Sequence, residues 1–432
     1  MRYFGLHQDV FFEKGARGAA LYEFMRKRVQ PLSPAESGIL EQLERDVPIA
    51  EVRDADAEVV EALVQRLCAE ALGARRATAQ RRDRYMPVLK IDLDGLVEPP
   101  LIVNVLHLQL APSCALSCSG CGIAGGAAWQ GCNGCERWPG VARGAAWTHG
   151  AIERFADEIE PLDIRNVFFN GGDPFAEPDL LEHAISRLRQ RPRPPGFVVS
   201  TNGTLASAPL LDSLAESGAK LNFILFGSSP AEYEEVCGDA AAFGAAMQAI
   251  AAAQVRSMVF NVTLRLSGKS REEAARLREW AATLGPRRVV TFERLAAGSD
   301  GGVEPAVSLA TTGPARVPQV GPEQFFMRRE FHPCLNGTIA IAADLSVRPC
   351  PMIADGAMGH IGLEPLRNVF REGRHERYWQ LTKKDVAGCG ACEFRFACAD
   401  CAALDLAKRR EPALHAAVCS YDPARAAWQA SS

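Results

Sequence analysis

Three cysteines stand close together in the run SCALSCSGCG, residues 113–122. Cys114, Cys118 and Cys121 follow the apolar run LIVNVLHLQLAP, which is typical of a buried strand rather than of a secreted loop. One disulfide would leave the third thiol over, so the spacing favours a loop that binds a metal or a cluster. A cubane iron–sulfur cluster normally takes four thiolates, and three would leave one iron open to bind and reduce a small molecule.

Length and composition restrict the classes of protein that this chain can belong to. It has 432 residues, 14 cysteines and a formal net charge of −4, and it opens with the charged run MRYFGLHQDVFFEKG in place of a signal peptide. No apolar run reaches the roughly 18 residues of a membrane helix. No basic stretch provides an electrostatic footprint for nucleic acid. We therefore expect a cytoplasmic protein that binds neither membrane nor nucleic acid.

The sequence pattern predicts three domains, at residues 1–82, 100–300 and 325–425. The first opens with the β-like runs RYFGLHQDVFFE and AALYEFM and continues with two helices. Ser33, Pro34 and Glu36 have the types and spacing of a capping box with proline in the first turn. The inward-facing residues predicted for the two helices are Ile39, Leu40 and Leu43, and then Val59, Val60, Leu63, Leu67 and Leu72, with Cys68 also in the core.

After a predicted charged linker at 75–84, strand-like and helical patterns alternate from residue 101 to about residue 295. The predicted strands are LIVNVLHLQL, IRNVFFN, GFVVSTNG, KLNFILFG, SMVFNVTLRL and RRVVTFERL. Six such βα units indicate an α/β fold with a partial (β/α)6 TIM-like barrel, whose chemistry belongs at the C-terminal ends of the strands. Beyond about residue 330 the alternation stops and a cysteine-rich tail begins, which we expect to depend on metal for much of its fold.

The C-x3-C-x2-C spacing after the first strand of such a barrel resembles that of the radical S-adenosylmethionine (SAM) superfamily. The resemblance implies a [4Fe–4S] cluster on Cys114, Cys118 and Cys121, whose open iron chelates SAM. One electron then cleaves SAM to methionine and a 5′-deoxyadenosyl radical. Gly120 stands where the family usually has an aromatic residue. The alternative is zinc, because Cys118, Cys121, Cys132 and Cys135 also form a C-x2-C…C-x2-C set.

Two later motifs favour SAM over zinc. The turn GGDP, which comprises Gly171, Gly172, Asp173 and Pro174, resembles the family's GGEP element, which contacts the SAM amino group. The turn STNG, which begins at Ser200 and includes Asn202, resembles an element that lines the SAM site. A third run, ILFGSS, departs from the Ser-Leu-Asp-Gly turn that many relatives have after the fourth strand.

The tail resembles the SPASM extension of peptide- and protein-modifying radical SAM enzymes, which carries auxiliary [4Fe–4S] clusters. By that resemblance, one auxiliary cluster is held by Cys389, Cys392, Cys398 and Cys419, and the other by Cys334, Cys350 and Cys401. Relatives with two fully ligated clusters have a further cysteine about six residues before Cys334, where this chain has Arg328. The nearer cluster is then left with an open iron or a non-cysteine ligand. Zinc in the tail is the alternative.

The first domain is similar in its element order to the PqqD-like, winged-helix-like recognition element of enzymes that modify ribosomal peptides. The resemblance implies that the leader of a ribosomal precursor peptide adds a strand to an exposed sheet edge. A small winged-helix domain used for packing or for DNA is the alternative. The run DAEVVEALVQRLCAEAL is acidic and apolar, which argues against DNA.

The whole pattern indicates a radical SAM peptide maturase that abstracts hydrogen from a precursor peptide and forms a thioether or carbon–carbon crosslink. Its partners would be that peptide and a reductant such as flavodoxin or ferredoxin. Peptide epimerisation, with Cys237 as the catalytic hydrogen donor, and anaerobic sulfatase maturation are the alternatives within the superfamily. A zinc-stabilised binding protein is the alternative from a different class.

Overall fold

The structure is a computed structural model of the chain. It describes residues 2–79, 102–118, 121, 134–135, 138, 140–141, 147–266, 269–293, 295–297, 303–305, 319–353, 355–398, 401–403, 405–406, 419 and 421–428. Three groups of elements follow one another along the chain.

The N-terminal group combines strands and two helices. Its elements are β1 (Tyr3–Leu6), β2 (Val10–Lys14), β3 (Ala19–Glu23), β4 (Arg28–Leu32), α1 (Pro34–Leu43), α2 (Ala57–Ala69) and β5 (Gly73–Arg76). β2, β3 and β4 form an antiparallel sheet in that order, and β1 pairs with β5. One face of the three-stranded sheet packs on α1 and α2 in an apolar core of its own.

The helix signals in this group are confirmed, with two corrections. Ser33 caps α1, and the Glu36 side chain completes the capping box. On α2 the prediction that Val59 faces inward is wrong, because Val59 is 46% exposed. Val64, which was not predicted to face inward, is buried. The predicted linker also begins too early, because Arg75 and Arg76 belong to β5, whose antiparallel pairing with β1 is a long-range contact that local composition does not signal.

The central group contains the six predicted βα units. Its elements are β6 (Ile102–Val103), β7 (Val105–Leu108), α3 (His149–Glu158), β8 (Asp163–Ile164), β9 (Asn166–Phe169), α4 (Pro178–Arg189), β10 (Gly196–Thr201), α5 (Ala208–Glu216), β11 (Lys220–Leu225), α6 (Pro230–Cys237), α7 (Ala241–Val255), β12 (Phe260–Leu266), α8 (Arg271–Thr283) and β13 (Val289–Glu293). β7, β9, β10, β11, β12 and β13 are neighbours in that order, and every pair is parallel. The six predicted strands are therefore confirmed.

The two faces of this sheet differ in polarity. Leu106, Val167 and Leu221 lie on the face that packs in the apolar core with the surrounding helices. The opposite face carries polar side chains, among them His107 and Asn222. Since side chains alternate along a strand, this division places a polar surface on the concave side of the sheet.

The C-terminal group continues the sheet rather than standing apart from it. Its elements are β14 (Leu295–Ala297), β15 (Val303–Pro305), α9 (Pro322–Glu330), β16 (Thr338–Ile341), β17 (Ser346–Arg348), β18 (Gly359–His360), α10 (Arg367–Arg371), α11 (Glu376–Trp379), β19 (Tyr421–Asp422) and β20 (Ala427–Trp428). β16 pairs in parallel with β7, and β17 and β18 follow antiparallel, which extends the sheet to nine strands. The sequence pattern did not signal β16, because this strand is stabilised by pairing with a strand more than two hundred residues away, as its register with Val105 shows.

The second face of the N-terminal sheet packs on the cysteine-rich tail. Its aromatic residues share a core with tail residues, and Cys392 and Cys419 pack against that core; its buried members are Phe11, Ala20, Tyr22, Phe24, Val29, Val320, Phe325, Phe326, Phe394, Phe396, Ala397 and Tyr421. The Tyr22 hydroxyl donates to the Glu393 carbonyl at 2.8 Å. The Glu13 carboxylate accepts from Arg329 at 2.5 Å and from Arg395 at 2.7 Å. The first domain is thus anchored beside the predicted auxiliary-cluster cysteines.

Among the described residues, no single helix is long and apolar enough to cross a membrane. The pair α6 and α7, bent by 115°, passes that test by length and composition only.

Replacement of Phe325 by alanine tests the joint between the N-terminal sheet and the tail. The ring is fully buried and contacts those of Phe11, Tyr22 and Phe396. We expect Phe325→Ala to lower the free energy of unfolding by about 3–5 kcal/mol in anaerobic urea titrations. Met25→Ala, at a side chain that is 81% exposed, is the matched control and should change it by less than about 0.5 kcal/mol. Equal changes in the free energy of unfolding of the two variants would show that the Phe325 ring does not hold the N-terminal sheet against the tail.

Candidate metal and cofactor site

Three predicted motifs meet at the C-terminal ends of adjacent parallel strands. The three-cysteine loop follows β7, the GGDP turn follows β9, and the STNG turn includes the end of β10. The backbone N–H of Asp173 donates to the carbonyl of Ser113 at 2.8 Å, which joins the GGDP turn to the start of the cysteine loop. Parallel neighbours place these ends at one edge of the sheet, as the barrel prediction requires.

Asp173 connects the second and third strand ends. One carboxylate oxygen accepts the backbone N–H of Phe175 at 3.0 Å. The other accepts the Thr201 hydroxyl at 3.1 Å and the Asn202 backbone N–H at 3.4 Å. Burial raises the pKa of Asp173 to about 6. The three hydrogen-bond donors limit this rise, because they stabilise the carboxylate.

Asn202 extends this network to the first cysteine. Its side-chain amide donates to the Cys114 sulfur at 3.2 Å, and the Leu116 backbone N–H donates to the same sulfur at 3.4 Å. Burial nevertheless raises the pKa of Cys114 and, more strongly, that of Cys118. The charges of Cys114, Cys118 and Cys121 also act on one another. Mutually close, partly desolvated thiols with N–H donors on one sulfur are a donor set that suits an iron–sulfur cluster, since a bound metal removes the cost of forming thiolates.

The two glycines of GGDP are required by close packing. Gly171 and Gly172 have positive φ angles of 84° and 81°. A Cβ on Gly172 would lie 2.0 Å from the Ala111 carbonyl oxygen, and one on Gly171 would lie 2.2 Å from the Trp138 ring nitrogen. Pro174 is buried and begins the short 3-10 turn Pro174–Ala176. The turn therefore brings its backbone directly against the cysteine loop.

A polar row runs along the concave face of the sheet below this edge. Ser200 accepts from the Asn222 side chain at 3.2 Å, and Asn222 accepts from the Thr263 hydroxyl at 2.9 Å. His107 pairs through Nδ1 with the Asn170 side chain at 3.2 Å and is 2% exposed. Among the residues of this polar row, only Ser200 is a candidate site residue by its sequence motif. The missed signal was the presence of polar residues at alternate positions of strands that are otherwise apolar.

Cys237 lies beside Cys118. Its thiol donates to the Tyr233 carbonyl at 3.0 Å, and the Cys118 and Cys237 thiols are close enough for each to influence the pKa of the other. Cys237 is 3% exposed. The structure thus places the predicted hydrogen donor at the three-cysteine loop, although in a buried position. Sequence reasoning did not single out Tyr233.

The remaining cysteines of this region are only partly described. Cys135 is buried, and its carbonyl accepts the Gly172 backbone N–H at 3.0 Å, so it supports the GGDP turn. Cys132, which belongs with Cys135 to the alternative zinc set, and Gly120 lie outside the described residues.

In the tail, the described contacts bring together part of the predicted ligand sets. Cys392 interacts electrostatically with Cys389 and with Cys419, and burial raises the pKa of Cys392. The Arg328 guanidinium donates to the Phe396 and Ala397 carbonyls. It also interacts electrostatically with Cys398. Cys334 is exposed and Cys350 is buried, and Cys401 is intermediate. Within the described part of the chain, no three candidate ligands are already arranged around a metal position.

The other side chains near Cys334 form a buried charged network. His332 contacts Asp405 at 3.0 Å, Asp405 accepts from Lys383 at 2.7 Å, and all three are at most 2% exposed. The Cys334 backbone N–H donates to the other His332 ring nitrogen at 3.3 Å. Both ring nitrogens of His332 are therefore engaged, which argues against His332 as a substitute cluster ligand.

Replacement of Gly172 by alanine tests the close approach at the GGDP turn. We expect Gly172→Ala to lose more than about 3 kcal/mol of stability, because overlap with Ala111 adds to the left-handed backbone cost. Gly218→Ala is the matched control, since Gly218 has a φ of 72° with nothing within 4 Å of its Cβ position. It should lose about 1–2 kcal/mol. Equal losses in urea unfolding would show that the close approach is unimportant.

His107 gives a pH-dependent prediction. Burial lowers its pKa from 6.5 to about 4, so its contribution to stability is complete above pH 6.5 and is lost as the pH falls toward 4. When the pH falls from about 7.5 to about 5.5, the free energy of unfolding of the wild type should decrease by about 1 kcal/mol because of this residue. His107→Asn should show a correspondingly smaller loss in urea unfolding over that interval. An unchanged pH slope in the variant would contradict a buried neutral histidine.

Comparison with known proteins identifies the central fold. Residues 108–281 match the family model described as the radical SAM superfamily. A curated relative, an AdoMet-dependent heme synthase from Methanosarcina barkeri, is 23% identical over 316 residues, which is 64% of this chain and 88% of the relative.

Solved structures show the same fold at low identity. SuiB from Streptococcus suis bound to S-adenosylmethionine is 13% identical, with a TM-score of 0.53 over 94% of this chain and 97% of SuiB. Native anSMEcpe with bound AdoMet is 13% identical, with a TM-score of 0.51 over 69% of this chain and 89% of that chain. Together with the three strand ends that meet at Cys114, the family match shows that this chain contains a radical SAM domain, the domain of a superfamily of enzymes.

Proposed function

We propose that this chain is a radical SAM enzyme that modifies a ribosomal precursor peptide. The observation that carries the proposal is the network from Asp173 through Asn202 to Cys114, which joins the cysteine loop to the two turns that resemble SAM-binding elements. The fold likeness to SuiB, which covers nearly the whole chain, supports it. SuiB has been crystallised with the precursor peptide SuiA, and anSMEcpe with the Cp18Cys peptide.

In this proposal Cys114, Cys118 and Cys121 hold a [4Fe–4S] cluster, and the GGDP and STNG turns hold SAM. When bound, these groups supply reductive cleavage of SAM to methionine and a 5′-deoxyadenosyl radical. The chain's contribution is to fix the strand ends through Asp173 and to present the concave polar face to the substrate. A reductant such as flavodoxin or ferredoxin would deliver the electron.

The tail would act as a SPASM domain over residues 325–425. Cys389, Cys392, Cys398 and Cys419 would hold one auxiliary cluster, and the electrostatic interactions of Cys392 with Cys389 and Cys419 support that assignment. Cys334, Cys350 and Cys401 would hold the other. A crosslink is a net two-electron oxidation, so it requires an electron acceptor, which auxiliary clusters in this tail would provide.

Residues 1–82 would bind the leader of the precursor. β2 and β4 are the edges of the three-stranded sheet. The β2 edge is flanked by the tail, where Ala16 N–H donates to the Ala391 carbonyl at 2.7 Å and Arg395 to the Lys14 carbonyl at 3.0 Å. β4 contains exposed Pro31, a residue that sheets tolerate at an edge. The leader would therefore add its strand along β4.

Other substrates within the superfamily make different demands. Epimerisation would need Cys237 to give hydrogen to the peptide, and that thiol is covered in this structure. Sulfatase maturation and heme synthesis do not need a leader-binding domain. The extent of the SuiB likeness, which covers 94% of this chain, favours a precursor peptide as the substrate over both.

The chemical proposal is tested by 5′-deoxyadenosine formation in the anaerobically reduced protein with SAM and a candidate peptide. The candidates are peptides encoded by short reading frames beside the gene. Wild type should form 5′-deoxyadenosine and a peptide product two mass units lighter, the loss expected for a crosslink made by removal of two hydrogens. Cys118→Ala should reduce both to background, whereas Cys68→Ala, at a partly buried position in the N-terminal core, should leave both unchanged. Activity in Cys118→Ala equal to wild type would overturn the proposal.

The leader-binding proposal predicts protection of one sheet edge. Amide hydrogen exchange across β4, Arg28–Leu32, should slow when the candidate peptide is added, because added main-chain hydrogen bonds protect the outward N–H groups. Exchange across β1, Tyr3–Leu6, serves as the internal control and should not change. Protection confined to the central group would instead indicate binding without the first domain.

A further inference from the structure

Helix α6 places a buried phenol behind the cysteine loop. Tyr233 is fully buried, and its ring packs edge-on against those of Phe226 and Phe243. The Phe226 backbone N–H faces the phenol oxygen, but the hydroxyl has no hydrogen-bond acceptor among the described residues. A buried hydroxyl without an acceptor destabilises the folded protein. Such a group indicates that an acceptor outside the described polypeptide belongs beside it.

The charged or titratable groups that surround this phenol are sulfur groups. Cys237, Cys135 and Cys118 all act electrostatically on Tyr233. Cys237 lies one helical turn further along α6 and is the neighbour of Cys118. Cys118 is a proposed ligand of the first cluster. Cluster sulfides and cysteine thiolates accept hydrogen bonds, and such bonds are among the features that set the reduction potential of a cluster.

We propose that Tyr233 is a positioning residue whose hydroxyl donates a hydrogen bond to a sulfur of the cluster that Cys118 holds. This inference rests on the proposed function, since it requires a cluster at Cys118. A donor to sulfur stabilises the more negatively charged reduced cluster, so this hydroxyl raises the reduction potential of the cluster. The Cys237 thiol is not a second donor, because its single hydrogen goes to the Tyr233 carbonyl.

The test is a potentiometric titration followed by electron paramagnetic resonance. The signal to follow is the one that changes when SAM is added and that disappears in Cys118→Ala, which assigns it to the cluster on the three-cysteine loop. Tyr233→Phe keeps the ring and removes only the oxygen. At a fixed ambient potential, we expect its ratio of reduced to oxidised cluster to fall by about three- to tenfold, the equivalent of one hydrogen bond. Tyr3→Phe makes the same chemical change on β1 and should leave the ratio unchanged.

Cys237→Ala provides a comparison at the neighbouring side chain. Its thiol hydrogen goes to the Tyr233 carbonyl, so Cys237→Ala should change the ratio less than Tyr233→Phe does. An unchanged potential in Tyr233→Phe would overturn the inference while leaving the proposed function intact. Absence of a SAM-responsive signal in the wild type would overturn the proposed function itself.

Discussion

A single buried carboxylate, that of Asp173, holds the candidate site together. Its two oxygens take donors from its own turn and from the end of the next strand, and its backbone N–H is bonded to the cysteine loop. A buried carboxylate must be hydrogen-bonded, so these donors cannot move apart without a large cost in free energy. The relative positions of Cys114, GGDP and STNG follow from this requirement.

The second constraint is that the N-terminal sheet has two apolar faces. One face is covered by its own helices and the other by the tail, next to Cys392 and Cys419. Removal of the first domain would therefore expose the aromatic residues of the tail as well as the sheet. Because Tyr22 donates to Glu393, the residue that follows Cys392 in the chain, a change in the first domain acts directly on the tail loop. The proposed leader-binding domain is in this sense a structural part of the proposed auxiliary-cluster domain.

Local patterns predicted much of this architecture. The six central strands were visible as apolar runs, most of them separated by amphipathic helices, and the Ser33 cap was visible as a capping box. The misses depend on contacts between distant residues. β16 is a strand because β7 is its neighbour, and Phe325 is buried because the N-terminal sheet covers it. No sequence pattern signals Tyr233, since only the structure shows that its hydroxyl is buried near several thiols and has no acceptor among the described residues.

The central claim is that these cysteines hold iron–sulfur clusters, and metal analysis of the anaerobically purified, reconstituted protein tests it most directly. Iron, acid-labile sulfide and zinc would be measured per chain. Three four-iron clusters predict about twelve irons, an equal number of sulfides and little zinc. About four irons with one or two zinc ions would retain the radical SAM domain but remove the redox role proposed for the tail. Zinc without iron would contradict the account and leave a zinc-stabilised binding protein.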